Sequence, residues 1–209
     1  MKVVLFGATG KSGSRLLNEL VARGHEVTAV ARDTSKVSAT SAVKVKQDDL
    51  SDARRTADVM RGADAVISAY APPADDTDAL VGVTERQVEA LRQAGVERLL
   101  VVGGAGGLEV APGVSLIASG HLPAPYLPIA TSHVKALDVL RKSDVNWTYV
   151  APAAYFEPGT RTGKFRLGSD ELITAANGES RISMEDYAIA MVDELEKGAN
   201  RRKRISVGY

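Results

Sequence analysis

The chain of 209 residues contains no cysteine. That excludes disulfides, thiolate nucleophiles and cysteine-held metals outright. Its three histidines, His25, His121 and His133, show no ligand spacing, which argues against a structural zinc site. Neither sign of charge is in excess, with 26 Lys+Arg against 26 Asp+Glu, so no net field draws the chain to nucleic acid or to an anionic membrane. The basic run Arg201-Arg202-Lys203-Arg204 lies between a helix pattern and a final strand, and reads as a solvated turn. No apolar run approaches the ~20 residues that span a bilayer. The first strand begins at once, leaving no room for a leader. These absences lead us to expect a soluble, cytoplasmic protein with no nucleic-acid or membrane partner.

What is present begins with Val3-Val4-Leu5-Phe6, an apolar strand that runs into Gly7-x-x-Gly10-x-x-Gly13. In a strand–turn–helix context this spacing suits a dinucleotide. The first glycine permits the tight turn, the second lets backbone approach a pyrophosphate, and the third lets helix and strand pack closely. The amides opening the next helix then face the phosphate charge. The helix itself shows in Ser14–Arg23, with Leu16, Leu17, Leu20 and Val21 on one face. The second strand ends at Ala31-Arg32-Asp33, with Lys36 close behind. A carboxylate at this tip usually accepts from the ribose hydroxyls of NAD. Arg32 instead offers a planar fork of donors suited to a 2′-phosphate. The reading therefore favours NADP(H), with NAD(H) as the alternative should Asp33 turn inward to a ribose.

Alternating strand and helix patterns place strands at 2–7, 26–31, 43–46, 64–69, 97–103, 146–151 and 204–208. Helices fall near 11–23, 51–61, 77–94, 131–143 and 183–197. This predicts an α/β fold, a doubly wound parallel Rossmann sheet of order 3-2-1-4-5-6 with helices on both faces and ligands at the C-terminal strand edge. We expect a single domain over 1–209. All eight prolines lie between residues 72 and 158. Residues 103–130 and 152–170 show no regular period and follow strands whose ends face the cleft, so they are expected to form a small substrate side.

A further absence concerns the reaction. None of the six tyrosines has a lysine four positions later, so the tyrosine–lysine pair that protonates a carbonyl in short-chain dehydrogenases is missing. Thr131 stands where that tyrosine would be relative to Lys135, and Gly103-Gly104 stand where its serine partner is expected. Hydride transfer to a flat delocalised acceptor needs mainly stacking and proximity. With aromatics at only 5%, Tyr70, Tyr126, Tyr155 and Phe156 near the cleft are candidates for a slot, each with ordinary packing as the alternative. His133 is the candidate proton donor or polar contact; a structural histidine in the cleft wall is the other reading.

The chain resembles the atypical short-chain dehydrogenase/reductase group of NAD(P)H-binding and NADH-flavin-reductase-like proteins, related to NmrA-like proteins and biliverdin reductase B. The resemblance rests on Phe6-Gly7-Ala8-Thr9-Gly10-x-x-Gly13, Val30-Ala31-Arg32-Asp33, Asp49-Leu50, Ser68-Ala69-Tyr70 and Val101-Val102-Gly103-Gly104-Ala105-Gly106. It extends to Trp147-Thr148-Tyr149-x-x-Pro152 and Phe156-Glu157-Pro158-Gly159-x-Arg161-Thr162-Gly163. It implies that Gly7, Thr9, Gly10, Lys11, Ser12 and Gly13 hold a pyrophosphate, with Arg32 at a 2′-phosphate. Asp49 and Leu50 would flank adenine, Ser68, Ala69 and Tyr70 would run beside the ribose, and Pro152, Ala153 and Ala154 would border the nicotinamide. His133 is similar to the helix histidine of biliverdin reductase B, whereas that enzyme's serine after the fifth strand is replaced here by Gly103-Gly104. The expected activity is reduction of a flavin, quinone or similar flat aromatic acceptor by a monomer or homodimer. The alternative is an NmrA-like, cofactor-sensing regulator that does not turn over.

Overall fold

The computed structural model describes all residues 1–209. Twelve strands are, in chain order, β1 Lys2–Phe6, β2 Glu26–Ala31, β3 Val43–Gln47, β4 Ala65–Ser68, β5 Arg98–Val102, β6 Glu109–Ala111, β7 Val114–Ser115, β8 Asn146–Pro152, β9 Tyr155–Glu157, β10 Arg166–Gly168, β11 Arg181–Ser183 and β12 Lys203–Gly208. Five helices are α1 Lys11–Ala22, α2 Ala53–Met60, α3 Ala79–Ala94, α4 Leu127–Lys142 and α5 Met184–Lys197. Eight strands form the main sheet in the order β10-β12-β8-β5-β4-β1-β2-β3. Seven of them are parallel, which is the doubly wound order read from the sequence. The antiparallel edge strand β10, paired through Leu167 opposite Val207, extends it.

The sheet buries both faces, so its central strands are near-continuous apolar runs rather than alternating ones. Successive residues feed opposite cores. Val3, Leu5, Leu100 and Val150 join Leu16 and Leu20 of α1 and Tyr187, Met191 and Leu195 of α5. Val4, Phe6, Leu99, Trp147 and Tyr149 join Met60 of α2, Val83 and Leu91 of α3 and Leu137 and Leu140 of α4. A buried ion pair ties the sheet to α5, with Arg98 donating to Glu194 at 2.8 Å. Helix ends follow local chemistry. Asp52 caps α2 and Ser183 caps α5, each with a side-chain oxygen accepting an otherwise orphan amide. Gly95 takes the left-handed conformation that closes α3.

Three sequence expectations need correction. Helix α4 begins at Leu127, four residues before the expected 131, because Pro128 sits in its first turn, where the missing N–H costs nothing. The stretch 103–130 is not irregular throughout. It carries a short antiparallel β6–β7 hairpin and single 3₁₀ turns at Ala105–Gly107 and Ala124–Tyr126. In the basic run, Arg204 is not a solvated residue. Its side chain is only 9% exposed, donating to the carbonyl of Gly107 at 2.7 Å and to the carboxylate of Asp170. Glu109 also exchanges backbone hydrogen bonds with Asp170 and Leu172, so the hairpin after β5 is stitched to the chain around residue 170.

The turn of residues 157–164 is held from below. Asp186 in the first turn of α5 is fully buried and accepts from the amides of Thr162 and Gly163, each at 2.8 Å, and from the Tyr209 hydroxyl. Arg161 forks onto Glu19 of α1, and Gly159 donates to Glu185 at 2.7 Å. This turn therefore packs on the α1–α5 flank.

Candidate functional site

The strand order switches sides between β1 and β4, leaving a crevice at the C-terminal strand ends, where ligands collect in such sheets. One side of it is built from the glycine turn. Gly7 has φ +75°, and a Cβ there would lie 2.3 Å from the carbonyl oxygen of Ala69. A Cβ on Gly13 would stand 2.0 Å from the Gly7 carbonyl oxygen. Only hydrogen fits at either place. Helix α1 then starts with no side-chain cap and no acidic residue in its first turn. Gly10 and Ser14 donate within the turn, whereas the amides of Lys11, Ser12 and Gly13, as the opening turn of a helix, lack an intrahelical partner. A bare, positively polarised helix end beside a turn that is glycine at three of its seven positions fits a pyrophosphate.

Next to it lies a cleft of about 130 Å³ lined by Phe6, Gly7, Thr9, Gly10, Val30, Arg32, Asp49, Leu50, Ala69 and Tyr70 among others. Its walls are mostly apolar, as an adenine and ribose require. Leu50 sits at φ +61°, a conformation that branched side chains rarely adopt. Two bonds hold it there. Asp48 accepts from its amide at 2.6 Å, and Arg86 donates to its carbonyl at 2.6 Å. Ser68 is buried at the end of β4, one residue before the lining. Burial pushes the Tyr70 hydroxyl up from its ordinary value.

At the mouth of this cleft a polar hollow is lined by Arg32, Gln47, Asp48, Asp49 and Arg55. The two arginines differ. Arg55 is engaged by Asp48 at 3.5 Å and by Asp49, while the backbone of Arg32 is held by Gln47 at 2.9 Å and its guanidinium has no ion-pair partner. Asp33 is engaged locally. Its carboxylate accepts from the amide and hydroxyl of Ser35, hydrogen bonds that hold its pKa down. Lys36 lies 3.9 Å from that carboxylate with its side chain 69% exposed, and it is not among the residues lining the cleft. The structure thus groups Arg32 with the cleft and leaves Lys36 outside.

The opposite end of the crevice is built from side chains on separate elements. Gly103 and Gly104 follow β5, and each is pressed by a ring. A Cβ on Gly103 would fall 2.3 Å from the Tyr149 ring, and one on Gly104 would fall 2.9 Å from the imidazole of His133. The place where a catalytic serine was looked for in vain is filled by a phenol and an imidazole. The Tyr149 hydroxyl accepts from the Gly104 amide at 2.8 Å and lies 3.2 Å from His133 Nδ1. Desolvation lowers the His133 pKa to about 4, so the ring is neutral at pH 7. Desolvation also pushes the Tyr149 hydroxyl well up from its ordinary value, which makes it a poor acid. Pro152 closes β8 opposite Val207. Ala153 is buried, and Ala154 donates to Ser180 at 3.1 Å.

The aromatic candidates separate. Tyr126, 60% exposed, stands just before α4, seven residues and two turns from His133. Tyr155 is 55% exposed with Arg181 over its ring. Phe156 instead packs on Tyr187 with centroids 4.6 Å apart and is part of the core edge. Sequence reading passed over Tyr149. It stood in the Trp147-Thr148-Tyr149-x-x-Pro152 segment without a role at the site; a further hint was a phenol within the apolar strand Trp147–Ala151, whose hydroxyl had to find a partner.

Comparison with known proteins agrees with this geometry. The family model described as NAD(P)H-binding matches residues 7–197. The chain is 38% identical to the uncharacterised protein YwnB of Bacillus subtilis strain 168 over 211 residues, covering 99% of this chain and 98% of that protein. A solved structure from Bacteroides thetaiotaomicron, named as a candidate epimerase, is 44% identical with TM-score 0.94, covering 100% of this chain and 96% of the other. Another, from Streptococcus pneumoniae TIGR4 and named as a candidate NADH-flavin reductase, is 36% identical with TM-score 0.89, covering 100% and 99%. With a bare helix end, a glycine turn and a largely apolar cleft in one crevice, the chain belongs to the NAD(P)H-binding family of Rossmann-fold, oxidoreductase-like proteins.

Proposed function

We propose that this protein is an NAD(P)H-dependent reductase that passes a hydride to a flavin, quinone or similar flat acceptor. The observation that carries the reading is the filling of the Gly103–Gly104 corner by the rings of Tyr149 and His133. It leaves a surface that can align a ring and offer one neutral hydrogen bond, without an acid able to protonate a ketone. The cofactor, when bound, supplies the hydride. The chain's own groups bind and orient. The amides of Lys11, Ser12 and Gly13 hold the pyrophosphate, with Gly7, Thr9 and Gly10 close beneath it. The unpaired guanidinium of Arg32 meets a 2′-phosphate, which favours NADP(H) over NAD(H). Asp49 and Leu50 flank the adenine, and Ser68, Ala69 and Tyr70 run along the ribose. Gly103, Pro152, Ala153 and Ala154 border the nicotinamide, His133 faces the acceptor, and the exposed rings of Tyr126 and Tyr155 cover it. Alignment at contact distance does most of the work in such a transfer.

The test is oxidation of NADPH and NADH followed at 340 nm, with and without FMN, riboflavin and a small quinone. Faster oxidation with at least one flat acceptor, and with NADPH ahead of NADH, is the expected result. Tight cofactor binding with no acceptor-dependent oxidation would overturn it in favour of a cofactor-sensing protein.

A further inference from the structure

Proton accounting at the Gly103–Gly104 corner carries one more step. A phenol has one hydrogen to give and accepts through oxygen; a neutral imidazole carries one N–H and one bare nitrogen. The Tyr149 oxygen already accepts from the Gly104 amide at 2.8 Å. Its hydrogen has two destinations, His133 Nδ1 at 3.2 Å and the His133 carbonyl at 3.4 Å. The ring nitrogen is closer. The bare imidazole nitrogen is also a better acceptor than a phenol oxygen that already accepts from Gly104, so O–H to N is the better pairing of these two groups.

We infer that Tyr149 is a positioning residue that holds His133 in its Nε2–H tautomer. The ring's single proton is then on Nε2, which has no protein partner, and it is free to donate to whatever lies above it. Three contacts immobilise the ring: the hydrogen bond at Nδ1, the edge-on Tyr149 ring 6.3 Å away between centroids, and the backbone of Gly104, where even a methyl group would collide. The depressed basicity of His133 keeps it a donor of a hydrogen bond rather than of a proton. The role is that of an electrophilic contact to the oxygen or nitrogen on which negative charge grows as an acceptor takes up hydride. The glycine pair has a further meaning in this arrangement. A side chain at Gly103 would displace the phenol, and one at Gly104 the imidazole.

This rests on the reductase reading for its purpose but not for its test. Long-range ¹H–¹⁵N spectra of uniformly ¹⁵N-labelled protein at pH 7 distinguish a pyridine-like from a pyrrole-like nitrogen in each ring. His133 is assigned among the three histidines by loss of its signals in His133→Gln. The expected spectrum has Nδ1 pyridine-like and Nε2 pyrrole-like. A pyrrole-like Nδ1 would overturn the inference without any variant. In Tyr149→Phe, which keeps the ring against Gly103, the signals move toward a tautomer mixture. If the protein turns over, kcat there falls roughly tenfold, as for one lost hydrogen bond, with KM for NADPH unchanged. An unchanged tautomer in Tyr149→Phe would also overturn it. A wild-type protein with the expected tautomer but no turnover on any flat acceptor leaves this inference standing and removes the reductase reading; the reverse result does the opposite.

Discussion

The two ends of the crevice are made in different ways. The phosphate end is nearly all backbone. Within seven residues, Gly7 to Gly13, the chain turns, dispenses with a side chain at three positions where one would collide with or crowd backbone, and starts an uncapped helix. The acceptor end draws Gly104 from the end of β5, His133 from α4 and Tyr149 from β8 into contact, braced by Arg204 from β12 holding Gly107 and Asp170. A local motif depends on its own few residues and tolerates little. A site assembled from distant elements depends on everything that holds those elements in register.

That contrast can be broken at its most rigid point first. Gly13→Ala should abolish cofactor binding in isothermal titration and cost about 3 kcal/mol of stability, the upper end for overpacking. The new Cβ would stand 2.0 Å from backbone. Retained binding would mean that the turn is softer than its contacts indicate.

The second test concerns the distant brace under the acceptor side. Asp186→Ala removes the acceptor for Thr162, Gly163 and Tyr209 and should cost about 2–3 kcal/mol in chemical denaturation, as for hydrogen bonds to a buried charge. NADPH affinity should be nearly unchanged. The sign of the pH dependence follows. Burial works to raise this carboxyl's pKa, but the bonds from Thr162, Gly163 and Tyr209 outweigh it, and the folded value lies below the ordinary 3.8. Its stabilisation is therefore in full force above that value and is lost as pH falls through the folded pKa. Denaturation midpoints measured from pH 6 down to pH 3 should drop for the wild type and drop less for the variant.

Selectivity within the phosphate end comes next. Arg32→Ala should weaken NADPH by roughly 10- to 100-fold, the range for charge-assisted bonds, and leave NADH unchanged. Equal loss of both would show that Arg32 supports the fold of the cleft rather than a 2′-phosphate.

The smallest effect sharpens the other side. Tyr126→Ala, at an exposed position, should change stability by less than about 0.5 kcal/mol while raising KM for the acceptor and not for NADPH. A normal acceptor KM would remove that ring from the slot.

Legibility in the sequence divides along the same line. Glycine spacing, strand ends and the alternation of patterns were enough for the sheet order, the tight glycine turn and the place of Arg32 at the tip of β2, because each is encoded within a few neighbouring residues. Lys36 was grouped with Arg32 by proximity in sequence, yet the Thr34–Lys36 turn directs it to Asp33 and solvent. Arg204 read as surface because nothing nearby in sequence announces Gly107 or Asp170. The start of α4 lies earlier than the pattern predicts because its first turn shows no regular period and carries Pro128, although a first-turn proline costs a helix no hydrogen bond.

The sequence by itself determined the Rossmann class, the tight glycine turn and the absence of a tyrosine–lysine pair, since these depend on local conformation and on residue identity. Only the tertiary structure decided what stands in place of that pair. Tyr149 and His133 are 16 residues apart, on a strand and a helix, and both are far from Gly104 along the chain. Their meeting follows from the parallel β5–β8 register and the packing of α4. No short-range pattern encodes it, because a hydrogen bond between distant elements is specified by how the two cores pack.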